Sequence, residues 1–394
     1  MPIRSRCLTH NETGKLWATS CEGTVVTIKT GLPDKLKSRE KIFNDPEAAL
    51  KYAAKEEWAR LKKGFILSAP TPNLKAENGQ PSLHLYVGGG YTGALLVTEY
   101  KGQILTNVDP KQHDDDESSK LWCVSRNGDI TTRLSLLPNH LAQEAVPKPD
   151  EDKIFLRLNH DIWQWTPDPK PQKRSLWKLK PKPKPALQEL MAGGAKPASF
   201  LSAASGRYAG YANGHVLVYN DGGAELFRRE IESELYSGHS LQMEGALSPD
   251  GRRLAVCSRA GLIDIFNQEN GETAQITGDF EMISKLQFSP DGSYLIAREM
   301  YGGWRLLAFD IAAKAPLESW PDFGNIANGD FALDPKTNRL AVRVEKTVSL
   351  YDLTKFKKNS SFDIEHMVKK ANVAWIDGNI AVRTDYGCLS VYAV

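Results

Sequence analysis

The feature that most constrains this chain is a short unit announced by the turn Ser248-Pro249-Asp250-Gly251. Pro sets φ at the second turn position and Gly relieves crowding at the fourth, as a type I turn requires. An apolar run, Leu254–Cys257, follows, and a polar turn at Ser258–Gly261 leads into the alternating Leu262-Ile-Asp-Ile-Phe266. That pattern reads as two strands of a hairpin. The unit returns: Ser289–Gly292 precedes Tyr294–Ala297 and Trp304–Asp310, and a looser copy, Asp334–Val342, leads into Thr347–Asp352. A fourth copy runs through Val373–Trp375, Asn379–Val382 and Leu389–Tyr392.

With Leu254, Leu295, Leu340 and Ile380 taken as equivalent, the period is about 40–45 residues, that of propeller blades rather than of helical repeats. Units close on an aromatic–polar pair, Phe266-Asn267, Phe309-Asp310 and Tyr351-Asp352, where WD-repeat proteins carry Trp-Asp. On those residues the second half resembles a WD-repeat-like β-propeller with degenerate signatures, and Gly238-His239 resembles that family's Gly-His. Earlier two-strand units are expected at Leu83–Gly88 with Ala94–Tyr100, Lys120–Val124 with Asp129–Leu136, Lys153–Leu158 with Asp161–Trp165, and Tyr208–Tyr211 with His215–Tyr219. About eight hairpins result; assigning one N-terminal hairpin to an incomplete or closing blade leaves seven blades, with eight as the alternative.

A chain of 394 residues with net charge +2 is long enough for more than one domain, and its charge singles out no class of partner. It has no apolar run of membrane-spanning length and no signal-peptide core near its start, so a cytoplasmic location is expected and no membrane partner. Cys7, Cys21, Cys123, Cys257 and Cys388 are odd in number and widely spaced, which points to free thiols rather than to disulfides or a structural zinc site.

Lys15 to about Phe65 reads as a separate α+β module. Lys15–Trp17, Thr24–Lys29 and Ser38–Phe43 are candidate strands around a turn at Cys21-Glu22-Gly23. A helix follows, with Asp45 as N-cap, Pro46 first, Glu47 at its positive end and Gly64 past its C-terminus. Leu50, Ala54, Trp58, Leu61 and Phe65 are expected to be its buried stripe, leaving Lys51, Lys55, Lys62 and Lys63 in solvent. This order of pieces, ending DPEAALKYAAKEEWARLKKGF, resembles the WGR domain of poly(ADP-ribose) polymerases and of bacterial proteins. The resemblance implies contacts with nucleic acid and neighbouring domains, but Thr30-Gly31-Leu32 stands at the Trp-Gly-Arg position, keeping only its Gly. Lys29, Lys35, Lys37, Arg39 and Lys41 around it form a candidate surface for nucleic acid or a protein partner, the alternative being a solvated face.

Residues 68–81 are expected to be a linker between domains at 1–67 and 82–394. Asp114–Glu117 reads as a solvated acidic loop. Thr166–Pro185 alternates Pro with Lys, and reads as an extended arm in which Lys173, Arg174, Trp177, Lys178 and Lys180 are candidate binding residues; the alternative is an edge-covering loop. There is no Walker loop, dinucleotide fingerprint, nucleophile elbow or His-Glu-x-x-His, and the eight histidines are dispersed, so no catalytic residue, metal or cofactor is expected. The expected architecture is mainly β: a small α+β WGR-like domain followed by a seven-bladed β-propeller. The expected function is that of a non-enzymatic, bacterial-type scaffold with a protein partner. A DNA- or RNA-binding regulator and a propeller enzyme with a channel site are the alternatives.

Overall fold

The computed structural model describes residues 4–394 except 11, 68–75, 89–94, 109–118, 137–140, 149–152, 159–160, 166–198, 213, 232–235, 238–239, 242 and 367–368. The strands β1 (Arg4–His10), β2 (Leu16–Glu22), β3 (Val25–Leu32), β4 (Lys35–Ile42) and β5 (Phe65–Leu67) form one antiparallel sheet in the order β4-β3-β2-β1-β5. A single helix among the described residues, α1 (Pro46–Leu61), covers one of its faces. The Asp45 carboxylate accepts the Ala48 amide at 2.7 Å, and Gly64 takes φ +83°, so both ends of α1 are capped as its sequence dictates.

The buried stripe of α1 differs from the expected one. Ala49, Ala53, Glu57, Trp58 and Leu61 are buried, whereas Leu50 is 37% exposed. The sheet beneath presents the fully buried Trp17 with Val26 and Ile28, and the small Ala49 and Ala53 let the first half of the helix approach that surface. Hydrophobicity alone places Leu50 inward; steric fit turns the helix and carries Glu57 into the interior.

Beyond this sheet the described residues hold seven further sheets, spanning 97–135, 142–165, 201–230, 244–277, 282–316, 330–363 and 371–392, together with a small hairpin of Tyr236–Ser237 and Ser240–Leu241. Six have four strands and the second has three. Their first strands pack in sequence from Val97–Tyr100 through Ala142–Lys148, Leu201–Ala204 and Glu244–Leu247 to Met282–Phe288, while Asp330–Leu333 packs on Ala371–Ile376 and that strand on Val97–Tyr100. Lys285 Nζ bridges the fifth and sixth sheets, donating to Asp330 Oδ1 at 2.9 Å and to the Phe331 carbonyl at 2.5 Å. The sheets therefore close into a ring, the arrangement of a β-propeller.

The strand that completes the last sheet comes from the other end of the chain. β6 (Pro81–Tyr86) pairs with Cys388–Tyr392, with Leu85 opposite Leu389 and His84 opposite Ser390. The expected hairpin of Leu83–Gly88 with Ala94–Tyr100 is thus incorrect, since Val97–Tyr100 pairs with Gln103–Val108. Local spacing cannot reveal a partner about 300 residues away, but a propeller needs one to fasten its ends. The other expected hairpins form.

Two sets of contacts join neighbouring sheets. At one end, the Ser-Pro-Asp-Gly turns close by Gly251 N–H to Ser248 O at 2.7 Å and Gly292 N–H to Ser289 O at 2.8 Å, with both glycines near φ +70°. Arg207 donates to the Gly251 carbonyl and Arg253 to the Gly292 carbonyl, each at 3.0 Å, so each turn is held by the preceding sheet. At the axis, Asp330 accepts from Lys285 at 2.9 Å and from the Val373 amide at 2.9 Å, with Arg298 at 3.7 Å. One buried carboxylate thereby ties the fifth, sixth and seventh sheets.

Burial alone would raise the Asp330 carboxyl, but Lys285, Arg298 and the hydrogen bonds from Lys285 and Val373 hold it below the usual range. Its stabilising effect is complete above the unfolded value of about 4 and is lost as pH falls through the lower folded value. Asp330→Ala is expected to lower unfolding free energy by about 2–4 kcal/mol, by removing the buried acceptor of the Val373 amide and of the half-buried Lys285 ammonium. Urea unfolding at neutral pH measures this loss, and repetition below pH ~4 should narrow the gap between the two proteins.

Candidate functional site at the contact of helix and closing sheet

Glu57 leaves the buried face of α1 and meets two histidines from the propeller. Its Oε1 lies 3.3 Å from His84 Nδ1, on β6, and 3.4 Å from His366 Nε2, in the segment after strand Lys357–Asp363. Arg6 of β1 completes the group: its Nε is 3.8 Å from the same oxygen, and its guanidinium donates to Glu365 Oε1. Glu57 and His84 are fully buried and His366 is 7% exposed. The His84 and His366 rings stand edge to face, with centroids 5.2 Å apart.

Trp58, next along α1, anchors the helix to the same sheet. Its ring stacks on Tyr386 at 4.2 Å, meets Tyr86 edge-on at 5.2 Å and lies 5.6 Å from His366. The contact thus combines an aromatic clamp with a buried ionisable cluster.

Burial lowers the His84 pKa, outweighing the hydrogen bond its ring donates to Glu57, and so favours the neutral imidazole. Burial likewise pushes the Cys388 thiol up to about 12 and the Tyr392 phenol well above its usual value, leaving both protonated. Ligand atoms of Glu57, His84, Glu365 and His366 all lie within 4.8 Å of one another, which makes these four residues able to hold a cation.

The histidines that look dispersed in sequence are therefore brought together in two cases. Spacing could not show it, because β6 reaches the last sheet from the opposite end of the chain. The available signal is a Glu at a position in register with Ala49, Ala53 and Leu61 on the buried face of an amphipathic helix.

The basic residues singled out in sequence are only partly assembled. Register places Lys35, Lys37, Arg39 and Lys41 on the helix side of β4, with Arg39 opposite Ile28 and Lys41 opposite Val26. Lys29 falls on the other face. Arg39 donates to Glu56 of α1 at 2.9 Å, and Lys41 Nζ sits 4.3 Å from the Tyr52 ring centroid. Lys35 and Lys37 are exposed. The candidates Lys173, Arg174, Trp177, Lys178 and Lys180 lie outside the described residues, as does His239.

A recurring arginine also emerges in the propeller. Arg157, Arg298, Arg343 and Arg383 occupy corresponding places on second strands, opposite Glu144, Lys285, Asp330 and Asn372 of the first strands. Arg157 pairs with Glu144 at 2.8 Å, while burial pushes Glu244 well above the usual carboxyl range, with Glu144 adding to the shift. Arg343 and Arg383 are almost wholly buried and donate to the Glu345 and Thr384 carbonyls, each at 2.6 Å. The Arg that ends a three-residue apolar run, as in Ile154-Phe-Leu-Arg157, Leu340-Ala-Val-Arg343 and Ile380-Ala-Val-Arg383, is visible in the sequence and is structural.

No protein-family model matches the chain, and no curated protein sequence does. Solved structures do. A chain in a crystal structure of a mitotic checkpoint complex superposes with a TM-score of 0.55, over 83% of this chain and 95% of that one, at 12% identity. The shared fold is a WD40-type β-propeller. At that identity the likeness extends to the fold alone. Among the described residues, no helix is long and apolar enough to cross a membrane.

Trp58→Ala should release α1 from the propeller. Loss of about 3–5 kcal/mol is expected, with urea unfolding separating into two transitions when followed by circular dichroism.

Proposed function

We propose that this chain is a non-catalytic scaffold. In this reading residues 1–67 are a WGR-like unit, 68–81 a linker, and 82–394 a propeller of seven blades carrying a Pro/Lys-rich insertion near 166–185. The propeller binds a protein partner, and the N-terminal unit offers a second surface to an acidic, extended segment of protein. Its setting is the cytoplasm of a bacterial-type cell.

The observation that carries the reading is β4. It is the edge of its sheet, and all eight of its residues are exposed. Such an edge offers unpaired backbone groups to an incoming strand. Lys35 and Lys37 on one face supply complementarity for acidic side chains, and Leu36 and Ile42, 41% and 76% exposed, supply apolar contact on the other. The engagement of Arg39 and Lys41 with α1, and the turn of Lys29 to the far face, favour a protein segment over a nucleic-acid backbone, which needs a continuous row of cations. The structural relative is itself a chain of a mitotic checkpoint complex.

Affinity purification from the native host, with and without nuclease, tests the proposal. Partners are expected to survive nuclease, and Lys37→Glu combined with Leu36→Asp should lower recovery of one of them at least roughly fivefold. Loss of every partner on nuclease treatment, with mobility-shift affinity falling steeply between two salt concentrations, would replace the scaffold by a nucleic-acid-binding regulator.

A further inference from the structure

We propose that Glu57, His84, Glu365 and His366 form a site for a divalent transition-metal cation of the zinc type, which fastens α1 to the sheet that closes the propeller. The sequence expectation of no metal rests on the dispersal of histidines, which folding removes here.

Two distances within the cluster, both from Glu57 to a histidine, match those of a coordination shell. Four ligands at 2.0–2.1 Å around a tetrahedral ion stand about 3.3 Å from one another. Glu57 Oε1 is 3.3 Å from His84 Nδ1 and 3.4 Å from His366 Nε2. All four donor groups fall within 4.8 Å of one another, so a small contraction of the cluster completes the set.

An unsatisfied nitrogen points the same way. His366 Nε2 faces Glu57 Oε1 inside the cluster, in a residue 7% exposed, yet forms no hydrogen bond. A buried polar atom without a partner is unfavourable, and coordination satisfies it. Two imidazole nitrogens with two carboxylate oxygens select a borderline cation such as zinc over magnesium or calcium, which take oxygen ligands.

Arg6 is the competitor. Its guanidinium holds Glu365 and lies near Glu57, and its side chain is 14% exposed, which gives it a way out of the cluster. With Arg6 displaced, the two carboxylates balance a divalent charge. With Arg6 in place, its guanidinium and the two carboxylates make a purely ionic lock.

These two states predict opposite responses. The full chain, stripped with a chelator, is titrated with Zn2+ against a chromophoric chelator, and a Co2+-loaded sample is read in the visible range. One equivalent of Zn2+ and the intense bands of four-coordinate Co2+ are expected. His366→Gln should lower affinity at least roughly tenfold, and Arg6→Gln should raise it by roughly tenfold by removing a like charge. His215→Gln, remote from the cluster, should leave it unchanged, with circular dichroism checking the fold of each variant. If His366→Gln does not fold, Glu365→Gln, at the most exposed ligand, takes its place. Failure of the wild-type chain to take up zinc, equal uptake by the ligand variant, or weaker uptake by Arg6→Gln overturns the proposal and leaves the ionic lock.

Discussion

A ring of sheets holds together only if its two ends are fastened, and here the fastening strand is β6, which crosses from the N-terminal side of the propeller to pair with Cys388–Tyr392. The entropic cost of joining such distant segments rises slowly with loop length, so the long separation is tolerable once the ladder and its core form. Alternation along β6 then does two jobs. Leu83 and Leu85 enter a cluster with Ile104, Val124, Ile376 and Leu389, and Ile66 of β5 joins the same cluster. His84 points the other way, to Glu57 of α1. The surface that receives the helix is complete only when the ring has closed.

Polar groups fix what apolar packing leaves loose. Arg383 donates to the Gly88 carbonyl at 3.0 Å and the Asn107 carbonyl at 3.3 Å, stitching the seventh sheet to the chain that enters the first. Asp330 acts the same way across the fifth, sixth and seventh sheets. Buried ionic contacts add little net stability compared with apolar replacements, but removing one partner is costly. Their consequence is therefore directional: a slipped sheet would strand a charge in the interior, which apolar contacts of similar area would not penalise as sharply.

The sequence discloses those parts of the fold that are local. The Ser-Pro-Asp-Gly turns, the second-half hairpins, the Asp45 cap and the Gly64 terminus follow from residues close to one another in the chain. What it conceals is relational. Leu50 outranks Ala49 in hydrophobicity, yet the room above Trp17 decides the helix face. The basic residues Lys29 and Lys37 are close in sequence, but the period of two puts them on opposite faces of one sheet. His84 and His366 become neighbours only through ring closure, so no spacing rule could pair them.

Adjacent residues of α1 address the edge strand and the closing sheet. Glu56 receives Arg39 of β4 at 2.9 Å, and Glu57 receives His84 of β6 at 3.3 Å. Successive positions on a helix point about 100° apart, so a single turn addresses the edge strand on one side and the closing sheet on the other. A rotation of α1 that broke the Glu57 cluster would also withdraw the partner of Arg39 and free another cation on β4. The orientation and charge of the exposed edge are thereby tied to the buried junction. The link between the exposed edge and the closing sheet is one turn of helix.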